Sequence, residues 1–103
     1  MNIQELEEEV IKCLKKVYDP EISINIYELG LIYDIKITDQ NEVVVLMTLT
    51  SAYCPEAQSL PEEIEYRLRE IPEIKDVRVI ITFDTPWDKS MMSEAAQLEL
   101  GLF

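Results

Sequence analysis

The chain contains no histidine, and this absence removes several kinds of chemistry at once. Cys–His dyads, Ser–His–Asp triads and imidazole metal ligands all need a histidine, so a single copy of the chain contains none of them. Cysteine is also scarce, with only Cys13 and Cys54. These two lie far apart and form no C-x-x-C motif, so the sequence supports neither a closed zinc site nor a redox dithiol.

Basic residues are few, with 9 lysines and arginines against 21 acidic residues and a formal net charge of −12. Such a surface repels phosphate backbones and anionic membranes, so nucleic acid is not an expected partner. No apolar segment is long enough to cross a bilayer. The acidic start of the sequence is unlike a secretory signal, so we expect the chain to stay in the cytoplasm, where both cysteines are reduced.

Apolar residues form 48% of the 103 residues and only 2 are glycine, which is typical of one globular domain over residues 1–103. Apolar spacing predicts an α+β fold with the element order α-β-β-α-β-α. It is a small mixed three-stranded sheet with helices packed on one face. The helices are expected from an Asn2 cap to Asp19-Pro20, from Pro55 to Ile71 and from Ser90 to Leu100, and the strands at 31–37, 43–49 and 77–83. The apolar content of the loop at 21–26 predicts that it lies against the core, and Gly30 lies where the turn into the first strand calls for a positive φ.

Pro61 lies inside the second predicted helix, where proline removes a backbone donor. The apolar register runs unbroken across it, which favours one bent helix over a new helix beginning at a Ser59–Glu62 capping box. The second and third strands flank this helix, and such a crossover makes the two strands parallel.

The run from Val43 to Leu49 is the most apolar stretch and predicts the central strand, and Cys54-Pro55 follows it. Pro55 suits the first position of a helix, which makes Cys54 its N-cap. Unpaired N–H groups at a helix start favour a thiolate, although Glu56 opposes the effect. A small buried cap fits the position equally well.

Other candidate residues have plain structural explanations beside the functional ones. Thr48 and Thr50 share one face of the strand and offer hydroxyls near Cys54, although threonine is also an ordinary strand residue. Asp19 is either a metal ligand or base, or a turn residue ahead of Pro20. Trp87 either covers the Cys54 site or presents a surface to a partner, and core packing is its default explanation. Cys13 lies on the apolar stripe of the first helix, which indicates packing.

These segments together resemble the SufT/PaaD-type family of metal–sulfur cluster biosynthetic proteins, which includes the eukaryotic cytosolic iron–sulfur targeting factor. The resemblance covers nearly the whole chain, and Glu28 is a departure from the family's aspartate. It is carried by Asp19-Pro20-Glu21-Ile22, Leu29-Gly30-Leu31-Ile32-Tyr33, Met47-Thr48-Leu49-Thr50, Cys54-Pro55, Trp87, Met92-Ser93-Glu94 and Leu100-Gly101.

The resemblance implies a factor for maturing iron–sulfur proteins that is an adaptor or carrier and not an enzyme. It implies a site in which Cys54 is the metal ligand, with Thr50 and Asp19 beside it. A cluster normally has about four cysteine ligands, so one thiolate cannot hold it alone. Iron or a cluster at Cys54 would be bound transiently and shared with another chain, whether an iron–sulfur scaffold, a client protein or a second copy in a homodimer.

Two alternatives stay open on the sequence. One is a protein-binding module in which Cys54 is structural, supported by the acidic surface and the apolar loop at 22–26. The other is a thiol enzyme with Cys54 as nucleophile, which without histidine would depend on the helix dipole alone.

Overall fold

The computed structural model describes residues 2–18, 24–49, 59–84, 86–99 and 101, with Lys89 described by its backbone only. Within these residues the elements are α1 (Ile3–Leu14), β1 (Ile32–Ile37), β2 (Glu42–Met47), α2 (Ser59–Arg69), β3 (Asp76–Ile81), a 3-10 turn (Lys89–Met91) and α3 (Glu94–Glu99). The predicted α+β class and the order α-β-β-α-β-α are confirmed.

Helix α1 begins where the sequence predicts. The side-chain Oδ1 of Asn2 accepts the backbone N–H of Glu5 at 2.8 Å, which satisfies one of the unpaired amides of the first turn. Leu6, Val10 and Leu14 form the buried face of the helix. Their spacing of four residues is the period that places them on one stripe.

The sheet has the order β1-β2-β3, with β1 antiparallel and β3 parallel to β2. The predicted mixed sheet is therefore confirmed, and β2 is its central strand. The hairpin between β1 and β2 turns through Asn41, whose φ of 60° is in the left-handed region that asparagine tolerates. The register of β1 shifts between Ile32 and Asp34, so Tyr33 lies at an irregularity that alternation in the sequence does not predict.

The two faces of the sheet differ. On one face Val43, Val45 and Met47 are buried in a single apolar cluster with residues of both long helices. On the other face Val44 and Leu46 are half-buried. The alternation follows from the period of two along a strand, and it confirms helices on one face only.

The loop ahead of β1 also contributes to the core, as its apolar content predicts. Ile24, Ile26 and Leu29 are buried in the same cluster, while Ile22 lies outside the described residues. Gly30 follows with a φ of 79°, as expected for a turn into the next strand.

The structure contradicts one helix prediction and leaves the start of another untested. The expected helix from Ser90 to Leu100 is wrong, because Ser93 separates the 3-10 turn from α3. Its Oγ accepts the N–H of Ala96 at 3.2 Å and its own N–H donates to the carbonyl of Glu28, so it starts a new helix. The residues from Pro55 to Gln58 lie outside the described part, so the predicted start of the second helix is untested. No described helix has the length and apolarity that a membrane crossing needs.

Candidate functional site

The carboxyl end of β2 is fixed from both sides by backbone hydrogen bonds. The N–H of Thr48 donates to the carbonyl of Leu31 at 2.9 Å. The N–H of Thr82 donates to the carbonyl of Met47, also at 2.9 Å. The chain then runs through residues 50–58, which include Cys54, and returns at Ser59 in α2. Along the chain, the candidate thiol therefore lies between the central strand of the sheet and α2.

The three site residues implied by the resemblance, Cys54, Thr50 and Asp19, lie outside the described residues. They remain predictions. Their flanking residues are described: Leu49 is buried directly before Thr50, and Tyr18 forms an isolated antiparallel bridge with Asn25 across the loop that begins at Asp19.

Thr48 is the polar residue that the structure brings to this end of the sheet. Its side chain is 0% exposed, and Oγ1 has no hydrogen-bond partner among the described residues. Buried hydroxyls nearly always have a partner, because leaving one unpaired costs about 1–3 kcal/mol. The unpaired hydroxyl of Thr48 is therefore a cost to stability at a position two residues before Thr50.

Trp87 joins the two loops that meet at this end. Its indole Nε1 donates to the carbonyl of Leu29 at 2.8 Å, and its ring packs half-buried against the apolar core. The bond connects the loop after β3 to the loop ahead of β1. Trp87 is thus an anchor in the described structure, while a role in covering Cys54 stays a prediction.

We expect Trp87→Phe to lower the free energy of unfolding by about 1–2 kcal/mol, because the buried carbonyl of Leu29 loses its donor and the smaller phenyl ring keeps only part of the packing against the core. Urea denaturation measures the change. Tyr66→Phe is the matched control, because Tyr66 is 71% exposed and its hydroxyl loss should be nearly neutral. Equal stability of Trp87→Phe and the wild type would show that the bond does not hold the two loops together.

A shallow depression beside this end is lined by Gly30, Ile32, Tyr33 and Met91. The hydroxyl of Tyr33 donates to Sδ of Met91 at 3.7 Å, which joins β1 to the 3-10 turn. Periodicity in the sequence gives no signal for this pairing, because the partners are 58 residues apart. The sequence predicts the strand that contains Tyr33 but not the contact of Tyr33 with Met91.

Cys13 lies elsewhere, in a groove between α1 and α2 of about 510 Å³. Its side chain is half-buried against the core, as expected for a packing residue. Burial raises the pKa of its thiol, and the nearby cations of Arg67 and Lys16 only partly oppose this. Less thiolate forms at neutral pH as a result, which disfavours nucleophilic attack and metal binding.

Within the described ranges, no three cysteine, aspartate or glutamate side chains gather into a set that could hold a metal ion. The described part of the chain thus contains an unpaired hydroxyl, that of Thr48, at the end of β2. The candidate ligand, Cys54, lies outside the described part.

Comparison with known proteins shows the family to which the chain belongs. Residues 7–86 match the model of a family described as iron–sulfur cluster assembly protein. The chain belongs to this iron–sulfur cluster assembly family. The SufT-type resemblance of the sequence is therefore confirmed.

Two curated relatives and one solved structure show how far the likeness to this family extends. An Fe-S protein maturation auxiliary factor of Porphyromonas gingivalis is 43% identical over 92% of this chain and 90% of its own length. The auxiliary factor SufT of Staphylococcus aureus is 43% identical over 84% and 98% respectively. A crystal structure of a domain of unknown function from Bacillus anthracis is 33% identical, with a TM-score of 0.90 over 97% of this chain and 95% of that one.

Proposed function

We propose that this chain is an iron–sulfur maturation factor that passes iron or a cluster to client proteins through a single thiolate, that of Cys54. The observation that carries the proposal is the match, along most of both chains, to two proteins named as Fe-S protein maturation auxiliary factors. The family described as iron–sulfur cluster assembly protein points to the same process.

The position of Cys54 in the chain supports its role as the ligand. The segment 50–58 leaves the centre of the sheet at Leu49, which is buried, and rejoins the fold at α2. The described neighbours of Cys54 on both sides, Leu49 before it and α2 after it, thus belong to the buried core. Cys13 is a poor alternative, because burial raises the pKa of its thiol.

A single thiolate makes the binding labile, since a cluster normally takes about four cysteine ligands. The other ligands would come from a scaffold protein, from the client or from a second copy of this chain. Transfer is then an exchange of ligands: a client thiol loses its proton and its sulfur binds iron, and the iron–sulfur bond to Cys54 breaks. The released thiolate takes up a proton, and no electron is transferred.

We further propose that the chain acts as a carrier and not as a turnover enzyme, in the reducing cytoplasm that keeps Cys54 a free thiol. Thr50 and Asp19 are proposed to surround the thiolate. Thr48 is proposed to support them from the end of β2, because its buried hydroxyl has no partner among the described residues.

Complementation of a strain that lacks the gene tests the proposal. We expect Cys54→Ser to lose most of the activity of the cell's iron–sulfur enzymes, because a serine hydroxyl is a far weaker ligand for iron than a thiolate. Cys13→Ser is the matched control and should retain activity. The readout is the activity of an iron–sulfur dehydratase in cell extracts, together with the amount of its apoprotein.

Full enzyme activity with Cys54→Ser would rule out the thiolate as the ligand. It would favour a protein-binding module in which Cys54 is structural. Anaerobic reconstitution with iron and sulfide gives a second readout: visible absorption should develop with the wild type and Cys13→Ser but not with Cys54→Ser.

A further inference from the structure

Strand β3 is an edge of the described sheet, and its outer side carries unpaired backbone groups. In a strand, neighbouring residues direct their N–H and C=O groups to opposite edges. The N–H of Thr82 faces β2, because it donates to the carbonyl of Met47. Val79 and Ile81 consequently direct their backbone groups away from β2, towards the free edge.

The start of this edge is closed by a side chain. The guanidinium of Arg69 donates to the carbonyl of Val77 at 3.2 Å and to Oδ1 of Asp76 at 3.1 Å. Arg69 thus occupies the first outward carbonyl of β3. Beyond it, the outward groups of Val79 and Ile81 have no hydrogen-bond partner among the described residues. An open strand edge of this kind is a template for a further strand.

Apolar side chains accompany the open part of the edge. Ile80 is 42% exposed and Phe83 is 45% exposed, although both are large hydrophobic residues on or directly after the strand. Charged side chains lie on both sides of the open part: Arg78 within β3 and Asp84 in the bend that follows it. Neither forms an ion pair with another residue of the described part of the chain.

We propose that this edge pairs antiparallel with the same edge of a second copy, about a two-fold axis at Ile81. In this register Ile81 meets Ile81 of the second copy, and Val79 meets Phe83. Ile81 faces outward at the end of β3, and the same alternation continued past the strand makes Phe83 face outward as well. Each pair then joins backbone groups that are open in one copy.

Two features favour this register over registers shifted along the strand: the charges of Arg78 and Asp84, and the contact of Arg69 with Val77. It places Arg78 opposite Asp84 of the second copy, and the two-fold axis repeats that ion pair. It also leaves Val77 outside the ladder, so Arg69 keeps its contact. A two-fold interface uses the same patch twice, and a strand with opposite charges at its two ends matches itself when reversed.

The pairing is expected to be weak. A ladder of this length buries less than the roughly 1,200 Å² of a stable interface, and the net charge of −12 on each copy adds repulsion. The dimer would also bring two Cys54 thiols into one assembly. That consequence rests on the proposed function, whereas the pairing itself does not.

Sedimentation of the full chain over a concentration series, in reducing buffer without metal, tests the pairing. We expect a monomer–dimer equilibrium with a dissociation constant above about 10 µM. Arg78→Asp should weaken it about tenfold, because two ion pairs become two like-charge pairs. Asp84→Arg should do the same, and the double variant Arg78→Asp with Asp84→Arg should restore the wild-type value.

Lys36→Asp is the matched control, because it changes the net charge as Arg78→Asp does but lies on β1, at the opposite edge. A second pair of variants tests the backbone. Phe83→Pro removes the outward N–H as well as the ring, while Phe83→Ala removes only the ring, so the proline variant should dimerise less than the alanine variant. Far-UV circular dichroism checks that each variant is folded.

A monomer at every concentration up to about 1 mM would overturn the proposal and leave the edge to solvent or to a strand of another protein. A dimer that is indifferent to Arg78→Asp and to Phe83→Pro would also overturn it, because its interface would lie elsewhere. Since the measurement uses metal-free protein, its outcome is independent of the complementation result for Cys54.

Discussion

Replacing Gly30 with alanine should lower the free energy of unfolding by about 3 kcal/mol. Gly30 has a φ of 79°, a conformation that costs any residue with a Cβ. In addition, a Cβ placed here would overlap the carbonyl oxygen of Met91 and lie 2.8 Å from its carbonyl carbon. Backbone atoms cannot rotate away as a flexible side chain can, so the loop itself would have to move.

The chain provides a matched control in its second glycine. Gly101 has a φ of 71°, but apart from its chain neighbours no atom of the described residues lies within 4 Å of the Cβ that alanine would add. Gly101→Ala therefore carries the conformational cost alone, about 1 kcal/mol. Urea denaturation of both variants separates the two contributions, since the difference between them measures the contact with Met91.

Equal destabilisation by the two substitutions would show that the loop of Met91 yields at little cost. The expected difference also has a functional side. Gly30 precedes Leu31, whose carbonyl accepts the N–H of Thr48 at the end of β2. A shift of Gly30 would disturb this hydrogen bond at the end of β2, the strand that precedes Cys54 in the chain. Gly30→Ala should therefore reduce complementation more than Gly101→Ala does.

Gly30 also shows how far the sequence predicts this fold. Its position between an apolar loop and an alternating strand predicts a positive φ, which is observed. The contact with Met91 depends on a segment 61 positions away, and local pattern carries no information about it. The same holds for Tyr33, whose hydroxyl reaches the sulfur of Met91.

The elements that were predicted well are those in which burial and period agree. Strand β2 alternates buried and half-buried residues because one face lies under the helices. Helix α1 combines a capping residue with an apolar stripe, so both its start and its buried face could be predicted. The predicted helix start at Ser90 was wrong, because Ser93 caps α3 with its own Oγ while its N–H is held by the carbonyl of Glu28, from another part of the chain.

Some of the candidate site could likewise be predicted from local sequence, and some could not. Cys54 was predicted from its place between the central strand and Pro55, and its role together with those of Thr50 and Asp19 came from the resemblance. The family itself is confirmed, while the three residues remain predictions because they lie outside the described part of the chain. Thr48 was a candidate by its face of the strand, but only the structure shows that its hydroxyl is buried and unpaired.

Replacing Thr48 with valine should raise the free energy of unfolding by about 1–2 kcal/mol. Valine has the shape of threonine with a methyl group in place of the hydroxyl, so the packing of this fully buried position is retained. The hydroxyl has no hydrogen-bond partner among the described residues, so its burial lowers the free energy of unfolding. The midpoint of urea denaturation should rise, with an unchanged slope.

The same substitution should reduce complementation of the strain that lacks the gene. A destabilising polar group persists most often at sites where function needs it, and Thr48 lies at the end of the strand that leads to Cys54. Its hydroxyl is the group available there to donate a hydrogen bond to a sulfur or to a neighbouring side chain of the proposed site. A gain in stability with a loss of activity would distinguish this role from simple packing.

Thr48→Ser is the control, because it keeps the hydroxyl and removes one buried methyl group. It should be less stable than the wild type by about 1 kcal/mol and still complement the strain. The valine variant should therefore gain stability and lose activity, whereas the serine variant should lose stability and keep activity. A valine variant that is both more stable and fully active would show that the hydroxyl has no part in the site, and the proposed surround of Cys54 would then have to be built without Thr48.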